Sequence, residues 1–243
     1  PNPEIRDGLV YETFAKGFSD DIFTTEQMRY IATFITDQKL LFKNICDTSD
    51  KFSVFTRSFT ALLGATILHK DNQTPFLNQN QLSIWFDWAI KYLCIETDWR
   101  GYVSKFGWAH SIAHGSDLLT EANLHHQFDS HQSRQSLQTL KSVIVKQTQP
   151  FLDDEEERLA NVLLAVLSET KVDVMEVQEF IVYLDKLVWN SYEQSNGAID
   201  DYYRLSSWKR ILMTIYFNTP KLKNQIEELI DKYFIISGFK CRS

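Results

Sequence analysis

The residues best suited to chemistry fall together in one stretch, ETDWRGYVSKFGWAHSIAHGSDLL, residues 96–119. His110, His114 and Asp117 are spaced i, i+4 and i+7, with Glu121 at i+11, so on a helix all four share one face. Two imidazoles at that spacing can hold one metal ion, as in metalloproteases. Asp117 would be a third ligand from the same face, and Glu96 or Asp98 would complete the set. The residues between the histidines are Ser111, Ile112 and Ala113, so the glutamate of an H-E-x-x-H site is missing. The leading expectation is therefore structural, with buried imidazoles bonded to backbone carbonyls or to these carboxylates and with no metal or cofactor. Metal ligation and an acid–base or ligand-contact role stand behind it, and in them His110, His114 and Asp117 are the catalytic candidates.

Arg57 is flanked by Phe55 and Phe59. An arginine in such surroundings either reaches solvent or meets a carboxylate. Arg100 can do the same beside Glu96 and Asp98. The favoured arrangement joins Arg57 or Arg100 to Asp98 and Asp117 in a buried network that locks adjacent hairpins together, ahead of anion binding. Arg57, Glu96, Asp98, Arg100 and Trp108 are accordingly the candidate ligand-binding residues. Weaker signals read as structure. His125, His126 and His131 cluster in a polar connection and are expected to be solvated. The acidic run Asp153–Glu157 suits a first helical turn, where the macrodipole favours negative charge. Trp85 and Trp88 are one turn apart and read as core. There is no Gly-rich phosphate loop, nucleophile elbow or dinucleotide fingerprint.

Helices must position these groups, because helical periodicity dominates the chain and no segment alternates with period two. Asn2 and Pro3 open a first helix whose face is marked by Ile5, Leu9 and Phe14. Thr24 with Gln27 makes a capping box ahead of Met28, Ile31 and Phe34. Phe52, Phe55, Phe59, Leu62, Leu63 and Ile67 form one strong amphipathic pattern. Leu82, Trp85, Phe86 and Ala89 begin another. A helix is expected from about Trp108 to Ala122, with Gly107 at its entry. Gly115 in its middle implies a close neighbour, since glycine there costs about 1 kcal/mol against alanine. Further helices centre on Leu140, on Leu163 behind an Asp153/Glu156 cap, on Leu184 behind Asp173, on Leu212, and on Ile226 behind Thr219 and Pro220. That is roughly ten helices, with hairpins beginning near Lys51, Trp108, Asp154 and Ile199. The expected fold is all-α: one domain over residues 1–243, built as a right-handed α-α superhelix of stacked hairpins similar to HEAT or armadillo repeats.

The box GWAHSIAHGSDLL, preceded by ETDWRGYV, resembles the signature of a bacterial family known as domain of unknown function 2785. IRDGLVYE near the start, VFTRSFTALLGATIL at residues 54–68 and EEERLANVLL from Glu155 agree with it. The resemblance spans about residues 5 to 167. Trp99 and Ser116 stand where smaller or more variable residues are expected, and neither removes a titratable group. The family implies an all-helical fold and implies no activity.

Composition limits the function classes. The 243 residues are 44% hydrophobic and 23% charged, which excludes disorder, and 8 Gly with 5 Pro are too few for an all-β chain. A net charge of −7 gives no attraction to nucleic acid or to an anionic membrane. Cys46, Cys94 and Cys241 are odd in number and far apart, so reduced thiols in a cytoplasm are expected, with no signal peptide and no membrane span. The leading function is a non-catalytic scaffold binding a protein or small molecule on the concave face of the stack. The alternative is a hydrolase-like enzyme centred on His110, His114 and Asp117, with or without a metal. A third class, a dimerising structural subunit, leaves monomer and homodimer both open.

Overall fold

The structure, a computed structural model, describes residues 2–240, and Cys241 lies outside them. Ten α-helices occur among the described residues. They are α1 Glu12–Ser19, α2 Thr25–Asp37, α3 Ser53–Gln73, α4 Gln79–Ile95, α5 Ser111–Leu124, α6 Ser130–Lys146, α7 Glu155–Ser168, α8 Val174–Gln194, α9 Ile199–Asn218 and α10 Lys223–Ile236. The expected hairpin starts correspond to α3, α5, α7 and α9. The pair α1 and α2 adds a fifth hairpin in front of them. Helices α1, α3, α5, α7 and α9 pack successively on one another as one layer. Helices α2, α4, α6 and α8 follow one another behind it, and α10 packs on α9. No helix among the described residues is long and apolar enough to cross a membrane.

Local chemistry explains the starts of α2, α4, α6 and α8 and of the turn before α10. The capping box of Thr24 and Gln27 is present, and two more occur at Asn78 with Gln81 and at Asp129 with Gln132. Asp173 caps α8 by accepting from the Met175 N–H. Thr219 caps a 3₁₀ turn, Pro220–Leu222, that runs into α10. The Asp153/Glu156 cap does not form. Asp154 is the N-cap of α7, in the left-handed conformation and with no side-chain bond to the helix. Glu155 and Glu156 turn inward instead of facing water.

Two segments depart from the 3.6-residue pattern. The chain opens as a π-helix, Glu4–Tyr11, with Asn2 Oδ1 accepting from the Glu4 N–H at 2.9 Å. Its wider i→i+5 turn rotates the apolar face. Ile5 and Leu9 therefore point to solvent, while Val10, Tyr11 and Phe14 face α3 and α2. The second departure is in the central box, where the helix does not begin at Trp108. Tyr102–Val103 and Gly107–Trp108 form an antiparallel two-stranded hairpin, β1 and β2, pairing Tyr102 with Trp108 and Val103 with Gly107. Lys105, Gly107 and His110 all have positive φ (70°, 75° and 49°), which no α-helix accepts. Helix α5 starts only at Ser111.

The core is continuous through both layers, with Trp85, Trp208 and Tyr92 as its largest fully buried side chains. Gly115 does have a close neighbour. A Cβ there would lie 2.6 Å from Leu93 Cδ2 and 2.8 Å from Tyr92 Cδ1, so α4 rests directly on α5.

Candidate functional site

The charged groups of the central box form separate pairs, not the single network expected. Arg57 and Glu96 make a bidentate pair at 2.7 and 2.8 Å, both side chains buried. Arg57 Nη1 also donates to Ser53 Oγ and the Lys43 carbonyl, and Glu96 Oε1 accepts from the Thr97 and Asp98 N–H groups. Burial works against the Arg57 charge, but the Glu96 hydrogen bonds and charge outweigh it and raise its pKa. Arg100 binds Asp98 at 2.6 and 2.8 Å, and its pKa is raised chiefly by those bonds.

Asp117 joins neither arginine. Its partner is Arg158 on α7, at 2.6 and 2.7 Å. α5 sits between α3 and α7 in the front layer, so the Asp117 side faces α7 while the Arg57 pair belongs to the α3 side. Burial raises the Asp117 pKa and Arg158 opposes the rise. Because Arg158 is half exposed, at 46%, this pair is a partly hydrated one. Asp117→Asn is therefore expected to change stability by no more than about 1 kcal/mol in a urea titration, as for other exposed pairs. A loss several times larger would return Asp117 to the interior network.

The two histidine rings meet edge to face, 5.5 Å between centres, but bond to different partners. His110 is the N-cap of α5, not part of its face, and stacks on the half-exposed Trp108 at 4.4 Å between ring centres. Its Nε2 donates to the Asp153 carbonyl at 2.8 Å and lies 3.7 Å from Glu155 Oε1, tying α5 to the start of α7. His114 is buried, shares a 2.7 Å hydrogen bond from Nδ1 with Ser58 Oγ, and meets the edge of Phe59. Burial, followed by the nearby His110, Arg158 and Arg6, pushes its pKa down to about 3.

This geometry bears on catalysis. Ser58 and His114 resemble a nucleophile and base, but Ser58 is fully buried and a base with a pKa of about 3 holds protons poorly near neutrality. His110, His114 and Asp117 are neighbours, but their ligand atoms do not come within 4.8 Å of one another as a group. The tightest metal-capable cluster among the described residues is a different one, His110 with Asp153 and Glu155, whose ligand atoms lie within 4.8 Å of one another. Its oxygens already accept from the Tyr102 and Asp153 N–H groups at 2.9 and 2.8 Å.

Two histidine and acid readings need correction. His125 is fully buried, bonded to Asp71 at 3.2 Å, while His126 and His131 are exposed as expected. Asp71 also accepts from the Phe76 and Leu77 N–H groups, so it organises the loop between α3 and α4. Glu156 accepts from Ser207 on α9.

Two cavities lie near these groups. A polar cleft of about 430 Å³ is bordered by Arg57, Asp98, Trp99 and Arg100, together with Asp47 and Lys51. The larger cavity, about 550 Å³, lies outside the box, where α1 and α2 splay apart over α3. Phe14, Ile31, Phe55, Phe59 and Leu63 are among its walls, Tyr30, Phe34 and Phe52 stand exposed at its edge, and Arg6 is its one charged residue. Sequence spacing missed it because three separate segments build it. The phenylalanine-rich face of α3 was its one local signal.

A family model described as "Protein of unknown function (DUF2785)" matches residues 41–217, from just before α3 nearly to the end of α9. No curated protein and no solved structure matches the chain.

Proposed function

We propose that this chain, which belongs to the family described as "Protein of unknown function (DUF2785)", is a non-catalytic binding protein for an apolar small molecule held between its first hairpin and α3. The observation that carries the reading is the cavity of about 550 Å³, walled by aromatic and aliphatic side chains. A half-open cleft of this size, within the range of ligand pockets and presenting mainly apolar surface, suits a compact apolar ligand. The rim of Tyr30, Phe34 and Phe52 adds exposed apolar surface where a ligand would enter. The proposed site lies against the first hairpin and α3, at the N-terminal end of the stack. The hydrolase alternative draws little support, since His110, His114, Asp117 and Glu96 are each engaged with a partner from outside the box.

The neutral fluorophore N-phenyl-1-naphthylamine tests the reading. It is expected to bind saturably, and Thr60→Phe, which places a ring in the cavity, is expected to weaken it at least tenfold while helical circular dichroism is unchanged. Equal binding by both proteins would sink the proposal.

A further inference from the structure

The N-caps of α5 and α7, His110 and Asp154, both take the left-handed conformation and make no side-chain bond to their helices. These two turns bring His110, Asp153 and Glu155 to one place, where a ligand atom from each lies within 4.8 Å of the other two. Glu155 is the unusual member, with a side chain only 3% exposed. Its Oε2 accepts from the Asp153 N–H, whereas Oε1, 3.7 Å from His110 Nε2, has no hydrogen-bond partner among the described residues. Buried carboxylates are ordinarily paired or bound to a metal.

The surroundings hold each group in position. Asp153 Oδ2 accepts from the Tyr102 N–H at 2.9 Å, and it fits there because residue 101 is glycine: a Cβ at Gly101 would overlap that oxygen. Trp108 stacks on the His110 ring, 4.4 Å between centres, and sets its plane. The His110 N–H donates to the Arg100 carbonyl, which fixes the backbone. Contacts of this kind orient the ligands of metal sites. Ligands about 2.0–2.2 Å from one ion are at most about 4.4 Å apart, so the three groups need to close by only a few tenths of an ångström.

We infer that His110, Asp153 and Glu155 bind one divalent transition-metal ion of the zinc or manganese kind, which cross-links the start of α5 to the start of α7. The ion meets His110 at Nε2, which faces Glu155 Oε1. The Nε2 proton now donated to the Asp153 carbonyl moves to Nδ1, so the ring stays neutral and Nε2 is free to coordinate. An imidazole nitrogen in the set favours a transition metal, whereas Ca2+ and Mg2+ take oxygen ligands. A divalent ion also neutralises both carboxylates at once, which His110, with at most one charge, cannot. None of the three residues lines the apolar cavity, so neither reading depends on the other.

Zinc titrated by calorimetry into protein freed of metal with a chelator and dialysed tests the inference. The wild type is expected to take one tight equivalent of Zn2+ that millimolar Mg2+ does not displace. Glu155→Gln keeps an acceptor for the Asp153 N–H and is expected to weaken zinc at least about tenfold. Gly101→Ala leaves all three ligands in the chain but pushes the Asp153 carboxylate aside, and is expected to cost about 10–100-fold. It also serves as the second variant should Glu155→Gln fold poorly by circular dichroism. His131→Gln, at an exposed histidine, is expected to bind as the wild type does. Absence of tight zinc from the wild type, displacement by Mg2+, or affinities that fall only in His131→Gln would overturn the inference. Equal affinity in the wild type, Glu155→Gln and Gly101→Ala would overturn it as well.

Discussion

Acidification from pH 7 to pH 4 is expected to remove about 3 kcal/mol of stability through His114 alone. The ring is buried against Phe59 and Ser58, and its folded pKa is about 3 where an imidazole in water has 6.5. The unfolded chain therefore binds a proton between those two values and the folded chain does not. Stability that is complete above pH 6.5 falls as the pH drops toward 3. Other groups titrate in the same window. Asp71 adds a loss of the same sign only at the acid end, because against its burial the bonds from His125, Leu77 and Phe76 hold its pKa below the ordinary carboxylate range. The comparison that isolates His114 is thus the wild type against His114→Gln, which keeps a polar group facing Ser58 and cannot charge. Urea midpoints at half-unit steps of pH are expected to converge toward the variant's in acid. Parallel curves for the two proteins would show that His114 does not carry the slope.

Glu96→Ala is expected to cost about 3–5 kcal/mol, because it leaves the Arg57 charge buried without its carboxylate. Out of a total stability of roughly 5–15 kcal/mol, such a loss can prevent folding at physiological temperature. The pair closes a junction. Arg57 on α3 is fixed to Ser53 and to the Lys43 carbonyl, while Glu96 at the end of α4 holds the Thr97 and Asp98 amides from which the box departs. Arg57→Met is expected to cost a similar amount. Arg57→Met with Glu96→Leu should recover much of the loss, since no buried charge then lacks a partner. The two amides at Thr97 and Asp98 would keep the recovery incomplete. Denaturant titrations of the wild type, Arg57→Met, Glu96→Leu and the double variant close the cycle and give the coupling. Additive losses, or single variants that cost under about 1 kcal/mol, would contradict the buried pair.

Sequence alone determined what depends on neighbours within a turn or two. The helical periodicity, the Thr24 capping box, the Asp173 cap and the hairpin starts near Lys51, Asp154 and Ile199 all rest on such short-range rules, and the structure contains each within two residues, while the start placed near Trp108 falls three residues later at Ser111. Gly115 also signalled its close neighbour, because a mid-helix glycine carries a local cost that packing must offset.

Tertiary structure alone decided which charges meet. Arg57 is 39 residues from Glu96, Asp117 is 41 from Arg158, and His125 is 54 from Asp71. Nothing in the spacing of Asp117 says whether its side of α5 faces α3 or α7. That follows from the order in which hairpins stack, and one step along the stack exchanges Arg57 for Arg158. The left-handed turn at His110 likewise overrode an i, i+4 pattern that was sound for a helix, since three positive φ values keep the backbone out of α5 until Ser111. The cavity was hidden for the same reason. Its walls come from the π-helical opening, α2 and α3, and only their packing puts Arg6 between Phe55 and Phe59.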